Sequence, residues 1–396
     1  MRCVVVGAGI IGLSAAWELA RSGVETVVVD PAPAGGATAA AAGMLAGVTE
    51  FHYQERDLLG LSLPAAAKWP SWAAQLEAAS GLSTGFRPGG TLVVAADSGD
   101  RATLADLRAA QAALGLAVEE ITTREARAAE PLLTPRLAGA FRAVGDHQTD
   151  PRRTAAALVA ALEALPNARL VAARAVRCGA GAGPFVEYDG GRLDCDEVVL
   201  ATGGGMVRAG GTGEGPVREG LALEGLPAPL RLPVRPVYGD VLRLRTVPGG
   251  PLPSGNVVRG LVGGQSVYIV PRADGEVVVG ATEREDGRAG VGAGGVHRLL
   301  RDALRLMPAL GELDLAETIA RARPGTPDNL PLLGRAAPGL VVAVGFHRHG
   351  VLLSAAAAAA VAALVGVPAP PGHAAGPAPS DLVPFDPAPF DPWRFS

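Results

Sequence analysis

Apolar residues fill positions 3–6, and the chain then reads Gly7-Ala8-Gly9-Ile10-Ile11-Gly12. A helical pattern over 13–21 follows, closed by Gly23, and a β-branched run over 26–29 ends in Asp30. Strand, glycine turn, helix, strand and acid in this register predict a dinucleotide-binding βαβ unit. Gly7 permits the tight turn. Gly9 lets a pyrophosphate reach the backbone at the helix N-terminus, where free N–H groups and the dipole favour an anion. Gly12, with Ala16, allows close packing of helix on sheet, and Asp30 is spaced to bind ribose hydroxyls. A secretory leader is the rival reading of Arg2 and the Ala-rich stretch; Glu18 and the spaced glycines oppose it.

Further helical patterns cover 58–79, 102–114, 154–164 (opened by Asp150-Pro151) and 296–307, stopped by Pro308. Strands are predicted at 91–94, 197–200 and 340–344. The run at 197–200 leads into Ala201-Thr202-Gly203, a place for backbone to approach a nucleotide. From 234 to 282 the pattern turns to antiparallel strands, with 267–272 and 276–280 flanking Ala273-Asp274-Gly275. The small residues of 31–49 suit a chain crossing close over a cofactor. The glycine-rich 203–225 reads as a surface loop and the Pro-rich end as extended chain on the surface.

The implied fold class is α/β: a Rossmann-like domain (1–80, 146–215 and 321–370) with an inserted antiparallel-sheet α+β substrate domain (81–145 and 216–320) and a Pro-rich tail, 371–396. Only one full glycine fingerprint is present, which opposes a second dinucleotide domain.

Composition narrows the function. Lys plus Arg number 35 and Asp plus Glu 39, a formal net charge of -4, so there is no electrostatic case for nucleic acid or anionic membranes. Cys3, Cys178 and Cys195 form no metal or redox spacing, which points to reduced thiols and a cytoplasmic setting. The best candidate for a membrane span, 355–367, is too short. Because 54 of 396 residues are Gly, a glycine fingerprint alone carries little; its register with the flanking elements carries the reading.

Two further motifs add chemistry. One is Tyr268-Ile269-Val270-Pro271-Arg272; the other is Arg323-Pro324-Gly325-Thr326, followed by a strand and Gly345-Phe346-His347-Arg348-His349-Gly350. With the N-terminal unit and the loop ending Ala42-Gly43-Met44-Leu45, they resemble the D-amino-acid oxidase family of flavoproteins over nearly the whole chain. Within it the resemblance is stronger to the glycine oxidases of thiamine biosynthesis.

That resemblance implies non-covalent FAD, contacted by Ile10, Ile11, Asp30, Pro31, Ala37, Thr38, Ala42, Gly43, Met44 and Val176. The loop Phe346, His347, Arg348, His349, Gly350, Val351 and Leu352 would follow the flavin ring. It implies that Arg323 grips the substrate carboxylate, with Tyr268 as an added donor and Arg348 near the substrate's other end; Glu50, downstream of the Ala-rich loop, joins them as a substrate-binding residue. A guanidinium suits this task because it presents a bidentate fork. No side chain is implied as acid or base. The implied reaction is hydride transfer from a small amino acid to flavin N5, then electrons to oxygen, giving hydrogen peroxide, an imine or keto acid, and ammonia. The implied partners are the amino acid and oxygen, and a homo-oligomer is compatible with them.

Family members read Gly-His-x-Arg-Asn-Gly where this chain has Phe346 and His349 at the His and Asn positions, which bears on flavin-edge contacts and substrate preference. His347 and His349 lack a third ligand for a metal. The alternatives are a sarcosine or broader D-amino-acid oxidase or dehydrogenase and, in another class, a non-catalytic flavin-binding protein or an RNA-modifying flavoenzyme. A cysteine-tethered flavin in the C-terminal half is opposed because all three cysteines precede residue 196.

Overall fold

The structure, a computed structural model, describes residues 1–53, 55–204, 207–209, 221–226, 230–367 and 387–396, with the backbone alone at 207–209 and 222. Strand Arg2–Val6 lies at the centre of a six-stranded sheet, between Glu197–Leu200 and Glu25–Val29. Leu340–Val344 and Ala168–Val171 extend the sheet in parallel on either side, and Leu332–Ala337 closes one edge antiparallel. Cys3 and Val5 pack into one core, and Val4 and Val6 into another. A strand covered on both faces needs an unbroken apolar run, which explains positions 3–6.

One face carries helices Ile10–Arg21, Leu59–Ser80, Pro151–Glu163 and Gly350–Val365. The last is mostly alanine, so it lies close against its neighbours, and Trp69 donates its indole N–H to the Leu352 carbonyl at 2.8 Å. Together with the short turn before it, the segment His347–Val365 is long and apolar enough to cross a membrane by length and composition. This corrects the shorter stretch read from sequence. It is mostly buried among the other helices, as a core helix of this composition must be.

The other face carries a five-stranded sheet. Two of its strands, Val207–Ala209 and Leu221–Glu224, pair in parallel inside the segment expected to be a loop; the rest of that glycine-rich stretch, 205–206 and 210–220, lies outside the described residues. The pair is joined to Ala175–Gly179 by backbone hydrogen bonds, which compensates for weak local signals.

The second large layer is an eight-stranded sheet running, by strand, Asp314–Gly325, Arg235–Arg245, Glu276–Gly280, Gln265–Pro271, Val257–Val262, Thr91–Ala95, Gly139–Ala143 and Val118–Ile121. It is antiparallel apart from the parallel pairing of Val257–Val262 with Thr91–Ala95. Helix Ala293–Leu306 covers it. A Cβ on Gly260 would lie 2.2 Å from a Leu306 methyl, so glycine there permits the contact.

Strand Asp314–Gly325 pairs along its whole length with Arg235–Arg245 and runs through the boundary drawn at 321. The end of the chain also departs from expectation. Among residues 387–396, Phe390 is buried in the helical core, and the Trp393 indole donates to the Ala336 carbonyl at 2.9 Å. This end is packed, not laid over the surface. Residues 368–386, most of the Pro-rich tail, lie outside the described residues.

Candidate cofactor and substrate cleft

A cleft of about 630 Å³ runs between the two large sheets, from the first glycine turn to Arg323 and Tyr268 on the near face of the eight-stranded sheet. At one end the strand Arg2–Val6 stops and the chain turns through Gly7 at φ +107°. A Cβ on Gly7 would stand 2.3 Å from the Ala201 carbonyl oxygen, and one on Gly12 would stand 1.9 Å from the Gly7 carbonyl oxygen. Only glycine lets the turn, the helix and the strand ending at Leu200 converge. Gly9 has no such crowding and lies open to the cleft, with Ile10 and Ile11 beside it. Asp30 accepts the Ala8 and Ala32 N–H groups, each at 2.7 Å, and still lines the cleft. Thr38 accepts the Ile10 N–H at 3.0 Å through its hydroxyl.

The small-residue segment over 37–43, a short helix Ala37–Ala40 and the chain after it, is ordered by arginines from elsewhere. Arg152 donates to the Ala39 carbonyl at 2.7 Å and forks onto Glu317; Arg243 donates to the same carbonyl at 3.2 Å. Arg272, buried, donates to the Ala42 and Thr149 carbonyls and to Gln148. Burial pulls its guanidinium down to about 10. Residues without side-chain functions thus gain a fixed backbone, and Ala37, Thr38, Ala42, Gly43 and Met44 line the cleft.

A bound group with polar edges fits this wall. Thr202 Oγ1 and His347 Nε2 belong to cleft residues and are buried without a protein partner. Gly203 leaves open space beside them. Ala201, Phe346, Gly350 and Val351 complete the wall, the last two at the start of helix Gly350–Val365, whose N-terminal end favours negative charge.

Not every expected contact lies here. Gly7 and Gly12 shape the turn without lining the cleft, and Pro31, His349 and Leu352 are also outside its lining. Leu352 is buried in the helical core. Val176 sits on the five-stranded sheet, 39% exposed, and is also outside the lining.

At the opposite end, Arg323 projects from strand Asp314–Gly325 over Gly239 of the neighbouring strand. A Cβ at Gly239 would stand 2.6 Å from a guanidinium nitrogen. The hydrogen bond Arg323 makes is to the Thr282 carbonyl, at 3.2 Å; among the described residues no carboxylate pairs with it. Tyr268 is paired with Gly280, whose missing side chain leaves room for the phenol oxygen. Burial raises the Tyr268 hydroxyl above its ordinary value, which keeps it a donor.

Glu50 and Arg348 also line the cleft, but each is engaged by other side chains rather than open to a ligand. Arg259, directly across from Tyr268 on the next strand, holds Glu50 at 2.7 Å. Arg348 holds Glu55 in a second ion pair. Burial pushes both carboxyls upward. At Glu50 the Arg259 guanidinium, with His349 and Arg348, outweighs it; at Glu55 the His349 ring and Arg348 do. Both end at about 2. His349 stands between them, 3.7 Å from Glu50 and 3.9 Å from Glu55. Burial and the charges of Arg348 and Arg323 lower His347 to about 3, so it is neutral.

Glu55, Arg259 and Gly239 were not marked by any motif. The one available signal was positional: Arg259 falls opposite Tyr268 once 257–262 and 265–271 are read as a hairpin.

Comparison with known proteins agrees with this geometry. The family model described as FAD dependent oxidoreductase matches residues 2–364. The bifunctional protein ThiO/ThiG of Synechocystis sp. is 33% identical over 370 residues, 91% of this chain and 51% of that protein; the chain thus spans about half the length of the bifunctional relatives it matches. Glycine oxidase of Geobacillus kaustophilus is 31% identical over 379 residues, covering 91% of this chain and 92% of that one. The crystal structure of glycine oxidase from that organism superposes with a TM-score of 0.82 over 100% of this chain and 99% of that one, at 29% identity. Iminodiacetate oxidase from Chelativorans sp. BNC1 superposes with a TM-score of 0.76, 26% identical, over 93% and 96% of the two chains. A Rossmann sheet, a cleft shaped for a flavin dinucleotide and a match over residues 2–364 lead to one conclusion: the chain belongs to the DAO family of FAD-dependent oxidoreductases.

Proposed function

We propose that this protein oxidatively deaminates a small α-amino acid, glycine first. The observation that carries the reading is Arg323: a part-buried guanidinium beside Tyr268, in the cofactor cleft, with no acid partner among the described residues. Such a fork matches one carboxylate, and burial strengthens the pair. FAD, when bound, supplies the electron acceptor that takes the substrate's α-hydrogen with its electron pair and passes the electrons to oxygen.

The chain's own residues position and do not exchange protons. Glu50 and Glu55 stay ionised and paired at neutral pH, and His347 stays neutral. None is suited to act as a base near pH 7. The substrate therefore loses its ammonium proton to solvent before reaction, and the protein's contribution is orientation and charge. Arg323 and Tyr268 fix the carboxylate, and the start of helix Gly350–Val365 favours negative charge at the cleft wall.

Non-covalent flavin is supported by the cysteines: Cys3 and Cys178 are buried in the cores, and none of the three cysteines lines the cleft. The similarity to ThiO/ThiG and to glycine oxidase supports glycine as substrate, with the imine passing to thiazole synthesis for thiamine.

Hydrogen peroxide formation by the FAD-loaded protein with glycine, sarcosine and D-amino acids tests the reading. Peroxide with glycine is expected. Strong turnover of bulky D-amino acids with none of glycine contradicts it, as does no peroxide with any amine.

A further inference from the structure

The cleft is lined by four arginines, and their partners divide them. Arg259 is matched by Glu50 and Arg348 by Glu55. Arg321 lies toward the small-residue loop, where it donates to the Gly35 carbonyl at 3.2 Å. Among the described residues, Arg323 alone stands at the substrate end without an acid. Glu283, exposed, adds another carboxylate to the lining.

We propose that Glu55 and Glu50 are specificity-determining residues that restrict this site to monocarboxylate amines by keeping Arg348 and Arg259 neutralised. The inference rests on the proposed amino-acid oxidation. Arg323 satisfies the first carboxylate of any substrate. A second carboxylate entering the cleft finds guanidinium groups whose charge is already matched. To bind, it must displace Glu55 from Arg348 or Glu50 from Arg259, leaving a buried or half-buried acid without its arginine. Both acids are ionised at neutral pH, so the rejection operates throughout the working range. A family scaffold of this shape also serves an oxidase named for a dicarboxylate, iminodiacetate. The discrimination therefore comes from side chains, not from the fold, and it works by a repulsive element as much as by an attractive one.

The test compares glycine with iminodiacetate on the FAD-loaded protein. Wild type favours glycine in kcat/KM by about a hundredfold or more, the scale expected when a wrong ligand leaves buried polar groups unpaired. Glu55→Gln keeps the shape and removes the charge, and it raises the iminodiacetate-to-glycine ratio by about tenfold. Should that variant fail to fold, Glu50→Gln probes the same rule through Arg259. Equal turnover of the two substrates by wild type overturns the proposal, as does an unchanged ratio in the folded variants. Acetate and malonate titrations followed by the visible flavin spectrum need no turnover. Acetate is expected to bind more tightly in wild type, with the preference shrinking in either variant. If no amine is oxidised, the functional reading fails, and these titrations still decide the charge rule.

Discussion

Gly239 shows how a single missing side chain can position the guanidinium proposed to bind substrate. It leaves the space that the Arg323 guanidinium fills, with 2.6 Å between a Cβ there and the nearest nitrogen. Gly239→Ala is expected to push the guanidinium aside and raise KM for glycine by roughly tenfold, about 1.4 kcal/mol, while the flavin spectrum stays unchanged. Arg323→Ala removes the fork itself and costs roughly 2–5 kcal/mol in substrate binding, read as KM. Arg323→Lys restores only part, since an ammonium cannot present two parallel donors. Arg323 and Tyr268 were legible in the sequence because short motifs surround them. Glu55 was not: its meaning comes from Arg348, nearly three hundred residues away along the chain. Glu50 and Arg348 were named from sequence, but their ion pairs with Arg259 and Glu55 were not, because residue type does not reveal which arginine an acid will meet.

The elements that position the cofactor were largely visible, since a parallel strand buried on both faces and a glycine turn leave plain local marks. Strand Asp314–Gly325 left none. Its alanines, with Asp314 and Glu317, carry little strand propensity, and long pairing with Arg235–Arg245 overrides that. The segment over 37–43 was read as close-approaching, but the arginines that order it lie on other elements. Arg272→Ala is expected to free the Ala42 and Thr149 carbonyls and cost roughly 3 kcal/mol in stability, checked by chemical denaturation of the FAD-loaded protein. Asp30→Ala should weaken FAD binding at the turn it braces, seen by titrating apoprotein with FAD. Unchanged affinity would remove Asp30 from the cofactor site.

Across the whole molecule, two layers meet at the cleft, and the charges buried between them tie stability to pH. Glu50 and Glu55 fall to about 2 in the folded chain from an ordinary value near 4.5. The stability they contribute is thus present above pH 4.5 and is lost as pH falls toward 2. Asp146 acts in the opposite sense. It is buried and accepts from Val48 N–H and from the Thr49 N–H and hydroxyl, and burial lifts it to about 6. What it contributes is present below pH 3.8 and is lost as pH rises through 6. Replacing Glu50 and Glu55 together by Gln should flatten the fall in melting temperature below pH 4.5. The packed chain end adds to the same whole: Phe390→Ala should cost roughly 3–5 kcal/mol, read from the melting transition. The central claim, that Arg323 holds a small amino acid for oxidation beside FAD, is tested most directly without oxygen. Glycine added anaerobically to the FAD-loaded protein should bleach the visible flavin band, and the same glycine concentration should leave Arg323→Ala oxidised. No bleaching in wild type, or equal bleaching in both, would contradict the account.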